Sequence, residues 1–325
     1  MRILVVGGAG YIGSVTVAEL LAAGHEVVVL DSLVTGHAEA VSAGAELVVG
    51  DLADCGLLDD VFGRRTFDGV VYYAGFIAAG ESMQDPGKYF ANNVGHLVNL
   101  LNAMVQHQVL RFVFSSSAAV YGEPKATPIT EDAPLAPVNP YGEAKAIGEQ
   151  MLRWYDSQCG LRYVALRYFN AAGAVEGLGE DHRPETHLIP VVLNAAAGKL
   201  AAVEIYGADY PPPDGTCVRD YVHVSDLAQA HTLALEYTKT GSAIYNVGNG
   251  QGFSNAAVVE AARRVTGQPI PVREAARREG DPAVLVSSAT RLKEELGWEP
   301  RFPDLEQIVG SAWRWHQAHP NGYES

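Results

Sequence analysis

Cysteine is scarce in this chain: three in 325 residues, Cys55, Cys159 and Cys217, far apart in sequence. They form no CxxC pair and no even set for a disulfide framework, so reduced thiols are expected and the fold has to rest on its core. Positive charge is the minority. Lys and Arg number 23 against 38 Asp and Glu, a formal net charge of −15. That excludes a broad nucleic-acid or anionic-membrane surface, though not a locally basic pocket for a phosphate. Long apolar runs are missing as well; none approaches the roughly 20 residues of a membrane-spanning helix. The first run, Ile3–Val6, meets glycine at once, unlike a secretory leader. There is no internal repeat and no low-complexity tail. A cytoplasmic protein is expected, without a membrane or nucleic-acid partner and without a metal. What remains is ordinary globular composition, 48% hydrophobic and 19% charged, at a length suited to about two domains.

Short apolar runs alternate with helix-like segments through the first half. Ile3–Val6, Val27–Leu30, Leu47–Val49, Gly69–Tyr73, Arg111–Phe114 and Tyr163–Leu166 read as buried strands. Helical spacing appears at Gly13–Ala23 and near residues 55–63, 87–107 and 141–158. Strand, helix, strand at this spacing predicts an α/β fold with a doubly wound parallel sheet of Rossmann type. The second half carries Gly- and Pro-rich loops at 175–187 and 206–216 and helix-like segments at 188–198, 225–237, 254–266 and 304–318. The expected division is a dinucleotide-binding domain at 1–170, to which about 218–240 returns, and a smaller C-terminal α/β substrate domain at 171–325.

Gly7-Gly8-Ala9-Gly10-Tyr11-Ile12-Gly13 lies between the first strand and the first helix. Glycines allow the tight turn and close backbone approach to a pyrophosphate, and the helix N-terminus supplies free N–H groups. Asp31 ends the second strand, where a carboxylate accepts from an adenosine ribose and repels a 2′-phosphate, favouring NAD over NADP. Asp51, ending the third strand, is expected near the adenine. Tyr141-Gly142-Glu143-Ala144-Lys145 puts a phenol and an ammonium four residues apart on one helix face. An ammonium there is expected to lower the tyrosine pKa from about 10 and make it a usable base. Ser115-Ser116-Ser117 follows the strand Phe112–Phe114, at the strand end where α/β sites form.

With these residues stand FSSSAAVYG (Phe114–Gly122), LRYFN (Leu166–Asn170), GTCVRDYVHV (Gly215–Val224) and RREGD (Arg277–Asp281). Together they resemble the UDP-glucose 4-epimerase family of the extended short-chain dehydrogenase/reductase superfamily, over essentially the whole chain. The resemblance implies Tyr141 as catalytic base, Lys145 as its electrostatic partner and Ser117 as a hydroxyl partner to the reacting oxygen. It implies NAD contacts from Gly7, Gly10, Tyr11, Ile12, Gly13, Asp31, Ser32, Thr35, Gly36, Asp51, Leu52, Tyr73, Ala74, Gly75, Asn92, Ser115, Tyr141, Lys145 and Tyr168. It implies UDP-sugar contacts from Ser117, Tyr141, Asn170, His187, Leu188, Tyr206, Arg219, Tyr221, Arg278, Asp281 and Leu285. Arginine suits a diphosphate because its planar fork donates two parallel hydrogen bonds.

The chain departs from the family pattern in places. Tyr72 stands where a histidine is common, Ile77 where some members carry lysine, and His187 where some carry asparagine. The segment Gly95-His96-Leu97 also differs. The implied reaction is reversible inversion at C4 of a UDP-hexose through a 4-keto sugar. Leu285 falls at the position that gates the C2 substituent, so a UDP-N-acetylhexosamine is an alternative main substrate. A dehydratase or decarboxylase needs an acid beside the serine, and Ala118, Ala119 and Val120 follow Ser117 instead. A dehydrogenase that releases NADH and a non-enzymatic redox sensor are further alternatives. A homodimer through the helices near 87–107 and 141–158 is expected by the same resemblance.

Overall fold

Residues 1–277 and 282–323 are described by a computed structural model. The early apolar runs become β1 (Arg2–Val6), β2 (Glu26–Asp31), β3 (Glu46–Val49), β4 (Gly69–Tyr72), β5 (Arg111–Ser117) and β6 (Arg162–Tyr168). Helices α1 (Tyr11–Ala22), α2 (Cys55–Gly63), α3 (Ala79–Gln84), α4 (Pro86–Tyr89), α5 (Leu97–Gln106) and α6 (Pro140–Cys159) connect them. The rest supplies β7 (Asn170–Ala172), α7 (Leu188–Ala196), β8 (Val203–Tyr206), β9 (Val218–His223), α8 (Val224–Tyr237) and β10 (Ala243–Val247). The last elements are β11 (Gly252–Ser254), α9 (Asn255–Thr266), β12 (Val272–Ala275), β13 (Val284–Leu285), α10 (Thr290–Leu296) and α11 (Leu305–Ala318).

Seven parallel strands form the main sheet in the order β10-β6-β5-β4-β1-β2-β3. This is a Rossmann-type sheet whose strand order reverses between β1 and β4, the crevice where such folds bind nucleotides. Both of its faces are covered. Ile3 and Val5 pack with Val17 and Leu20 of α1 and with Leu227 of α8, while Leu4 and Val6 pack with Leu58 of α2 and Leu100 of α5. Burial on both faces is why β1 reads as an unbroken apolar run and not as an alternation. Each such side chain contributes about 1.5–3 kcal/mol, so an acid at Val5 would break the layer.

Beside this lies a smaller unit. β11, β9 and β13 form a sheet in that order, β7 pairs with β9, and β8 pairs with β12. Helices α7, α9 and α11 bury Val192, Val258 and Ile308 against Tyr221 and Ile205. Of the segment expected to return at about 218–240, α8 packs on the main sheet and β9 does not. β9 belongs to the smaller sheet, because Asp220 is fully buried there and accepts from Asn249 N, Gly250 N, Ser287 N and Ser287 Oγ at 2.6–3.1 Å. The returning piece is α8, which packs on the sheet beside α1, followed by β10 as the outer strand.

The segment expected as one helix at 87–107 is divided into α4, a π-helical stretch Phe90–His96, and α5. Its wider turn carries the buried Asn93, whose Oδ1 accepts from Phe76 N and whose Nδ2 donates to Phe76 O, both at 2.9 Å. Hydrophobic periodicity alone does not reveal that exchange of helical for side-chain hydrogen bonds.

Candidate active site

The C-terminal ends of β1, β2, β4, β5 and β6 gather the residues singled out in the sequence. Gly7 follows β1 with φ +79°, and an added Cβ would stand 2.6 Å from Ala74 N after β4. A Cβ on Gly13 would lie 2.2 Å from Gly7 O, whereas one on Gly10 would meet only that oxygen, at 3.5 Å. The fold thus needs glycine at 7 and 13 for its own packing. At 10 the added space is open to a ligand. Gly10 gives α1 no side-chain cap, so the first amides of the helix have no intrahelical partner and favour an anion. Asp31 ends β2, buried, with Oδ2 accepting from Ala9 N and Oδ1 from Leu33 N, both at 2.9 Å. It braces the loop while each oxygen keeps a further lone pair. Gly36 packs against Ala9 and Asp31, and Ser32 and Thr35 are exposed on the same loop. These features fit a dinucleotide.

Other expected cofactor residues lie after β3, after β4, in the π-helical stretch and at the start of α1. Asp51 is exposed, with Oδ1 accepting from Ala53 N at 2.8 Å, and Leu52 O accepts from Asn99 Nδ2 at 3.0 Å. Tyr73 turns its ring into the core, its hydroxyl 2.6 Å from Thr16 Oγ1 and its ring 4.7 Å from that of His231. Its backbone, with that of Ala74, faces Gly7, and Gly75 packs against the Asn93 amide. Asn92 is half-buried and donates to Asn93 Oδ1. Tyr11 reaches away from the loop to Gly173 O at 2.6 Å, and Ile12 is half-buried against the core. Tyr72, where the family pattern has histidine, is 1% exposed between the rings of Phe112 and Phe114. It is a core residue. Ile77 is exposed.

The catalytic candidates meet where β5 and β6 end beside α6. Register places Ser117 opposite Tyr168. Asn139 caps α6 by accepting from Gly142 N, with Pro140 in the first turn, so Tyr141 begins the helix facing the serines. The Tyr141 hydroxyl adjoins that of Ser117, and the Tyr168 hydroxyl that of Ser115. Lys145 is buried and donates to Ser115 O at 2.7 Å, with its Nζ 5.9 Å from the Tyr141 ring centre. The acid–base balance corrects the sequence expectation. Burial pushes the Tyr141 phenol above its usual 10, offset in part by the adjoining Ser117 hydroxyl, and pushes Lys145 down to about 8. Desolvation outweighs attraction because the ammonium is held on a carbonyl and not on the phenol.

Beneath the serines lies a buried network that the sequence reading missed. Ser116 donates to Glu149 Oε1 at 2.5 Å; Arg167 Nε donates to the same oxygen at 2.8 Å, and its Nη2 to Oε2 at 2.6 Å. Arg167 Nη1 reaches Tyr121 Oη at 2.9 Å, and Tyr121 donates to Asn246 Oδ1 on β10. Tyr141, Lys145 and Glu149 are spaced by four, so the motif continues one turn further along the same helix face. That spacing was the available signal. Close approach makes the column possible: a Cβ on Gly142 would lie 2.6 Å from Ala119 O, and one on Gly148 2.7 Å from the Phe114 ring.

The residues expected around the sugar nucleotide are more scattered. Asn170 on β7 pairs with Tyr221 on β9, and Leu285 on β13 pairs with Arg219. Arg219 is 8% exposed, with Nη1 donating to Val218 O. Tyr221 does not stand open as a ligand contact would; it is 4% exposed in the core of the smaller unit, since its strand faces α7 and α9. Tyr206 ends β8 and donates to Glu204 Oε2. His187 precedes Leu188, the first residue of α7, and its Nδ1 is 2.8 Å from Glu180 Oε1, so it is already engaged within the chain. Arg278 and Asp281 lie outside the described residues. Asp220 and the Glu180/His182/Glu185/His187 group were not anticipated; Glu-x-His-x-x-Glu-x-His was the visible pattern.

Comparison with known proteins agrees with this architecture. The profile of the NAD dependent epimerase/dehydratase family matches residues 3–248. The UDP-glucose 4-epimerase of Lacticaseibacillus casei is 52% identical over 327 residues, covering 99% of each chain. A crystal structure of a UDP-glucose 4-epimerase is 48% identical with a TM-score of 0.97 over 100% of both chains. That of the Bifidobacterium longum enzyme, in complex with NAD+ and UDP, is 38% identical with a TM-score of 0.95 over 99% of this chain and 100% of that one. With the fold, the loop and the full-length likeness in agreement, the chain belongs to the NAD-dependent epimerase/dehydratase family.

Proposed function

We propose that the protein interconverts UDP-glucose and UDP-galactose by reversible inversion at C4, through a 4-keto sugar. The observation that carries this reading is the Tyr141 phenol set beside Ser117 and Lys145 at the C-terminal end of β5, on the same side of the sheet as the uncapped α1 N-terminus. Residues 7–13 and Asp31 would hold NAD, which when bound supplies the acceptor and donor of hydride at C4. Tyr141 removes the 4-hydroxyl proton and returns it after the sugar has turned over, with Ser117 holding the reacting oxygen. Because burial raises the Tyr141 pKa, phenolate forms only when positive charge adjoins it: the Lys145 ammonium and an oxidised cofactor together.

Arg219 and Arg278 are assigned to the diphosphate, with Asn170, Leu188 and Tyr206 around the rest of the sugar nucleotide and Asp281 toward the uridine. In domain terms, residues 1–170 with α8 and β10 hold the cofactor and the remainder binds the UDP-sugar. Leu285, opposite Arg219 on the paired strand, is too small to bar an N-acetyl group as a tyrosine would, so UDP-N-acetylhexosamines form the second reading. The turn after Ser117, Ala118–Tyr121, is apolar and offers a dehydratase no acid. A homodimer through α5 and α6 is supported by Trp154, 69% exposed on α6. No helix among the described residues is long and apolar enough to cross a membrane, and the three free cysteines suit a reducing cytoplasm.

The test is incubation of NAD-loaded protein with UDP-galactose and no added reductant. UDP-glucose should form, and Tyr141→Phe should lose most turnover while retaining NAD. Net NADH release without UDP-glucose refutes the assignment.

A further inference from the structure

Between β7 and α7 the chain brings four side chains to one point. One donor atom from each of Glu180, His182, Glu185 and His187 lies within 4.8 Å of every other. We propose that these four residues bind a single divalent transition-metal ion, zinc by preference, as a structural site that fixes the start of α7.

The distances suit an ion at the centre. His187 Nδ1 is 2.8 Å from Glu180 Oε1 and 3.2 Å from Glu185 Oε1. His182 Nδ1 is 3.2 Å from Glu180 Oε1 and 3.5 Å from Glu185 Oε2. Tetrahedral zinc, with bonds of about 2.0–2.1 Å, separates its donors by about 3.3 Å. The four distances straddle that value. They are also ion-pair lengths; His182 Nδ1, His187 Nδ1 and Glu185 Oε2 are buried and face one another's carboxylates or imidazoles without making a hydrogen bond of good geometry. Buried polar atoms are nearly always satisfied. Three buried atoms that face this cluster without hydrogen-bond geometry fit a shared cation, which takes a lone pair from each.

The donor chemistry agrees. Two imidazoles with two carboxylates are a nitrogen and oxygen set suited to zinc. Neutral imidazoles and two carboxylates sum to −2, so a divalent ion brings a buried site to zero charge. The Glu180 and Glu185 side chains are 8% and 12% exposed, and the His182 and His187 side chains, which face them from the outer side, 21% and 42%. The neighbourhood gives the ion something to fix. The Tyr11 ring stands edge-on to His182 at 6.5 Å, and Asp181, between two of the ligands, accepts from Tyr323 N at 3.1 Å. The site would therefore tie the 180–187 loop to the first turn of α1 and to α7, without touching the reacting atoms.

The test is zinc content of the tag-free, full-length chain by elemental mass spectrometry after equilibration with micromolar zinc. About one zinc per chain is expected for the wild type, and almost none for His182→Asn/His187→Asn. At free zinc of 100 times Kd the folding equilibrium constant of the wild type should rise about 100-fold, and that of the variant not at all. Absence of zinc from folded wild type, equal zinc in both proteins, or a loaded wild type whose melting does not rise overturns the proposal. Should the double variant not fold, zinc-edge X-ray absorption on the wild type decides. A nitrogen and oxygen shell with imidazole scattering supports the site, and a thiolate shell overturns it. None of these readings depends on epimerase activity, so they are separable from the proposed function.

Discussion

Glu149→Gln isolates the support beneath the serines. The Glu149 and Arg167 side chains are 2% and 4% exposed, joined by two hydrogen bonds at 2.6 and 2.8 Å. Removing the carboxylate charge leaves a guanidinium buried without its counter-ion, a change that costs about 3–5 kcal/mol in such pairs. The lower end applies here, because Arg167 keeps Tyr121 Oη and Glu131 O, and a glutamine oxygen still accepts one bond. Urea unfolding of the cofactor-free protein should thus lose about 3 kcal/mol. Glu149→Leu with Arg167→Met should recover most of that, since apolar replacement of a whole buried pair is often neutral. Turnover should not recover, because Ser116 Oγ would have lost the carboxylate that holds its strand end at 2.5 Å. A Glu149→Gln protein within about 0.5 kcal/mol of wild type, or a double variant with full kcat, refutes the positioning role.

The pH dependence of stability tests Lys145. Its folded value near 8 lies below the ordinary 10.5, so its charge costs the folded state about 3 kcal/mol below pH 8. Between about 8 and 10.5 the unfolded chain binds the extra proton, so wild type should gain stability relative to Lys145→Met as pH rises through that window. A flat difference in urea unfolding across it contradicts the burial argument. In the loop, Gly13→Ala sets a methyl 2.2 Å from Gly7 O and should destabilise the chain severely. Gly10→Ala meets the same oxygen at 3.5 Å and should leave melting unchanged while weakening NAD in a fluorescence titration; undiminished affinity removes Gly10 from the phosphate cradle.

The main sheet was legible because its strands are buried on both faces, so Ile3–Val6 and Val27–Leu30 stand out as unbroken runs. The glycine loop and the Tyr141/Lys145 pair were legible because their chemistry fixes local spacing. What escaped depends on partners distant in sequence. Glu149 meets Arg167 and Ser116 only after β5, β6 and α6 come together. β10 joins β6 across 74 intervening residues, most of them in the smaller unit, so its membership of the main sheet has no local sign. The direction of the Tyr141 shift was missed because burial is a property of the assembled site and not of a five-residue motif.

Placing the Tyr141 phenol, the Lys145 ammonium and the Glu149 carboxylate in one column of α6 makes the helix behave as a single rigid part. Its steps of four residues are about 6 Å apart along the axis, so sliding of α6 carries all three groups together and leaves their mutual spacing unchanged. A roll about the long axis would turn the whole column away from the serines of β5. Gly142 seated on Ala119 O and Gly148 on the Phe114 ring act as two keys against such a roll.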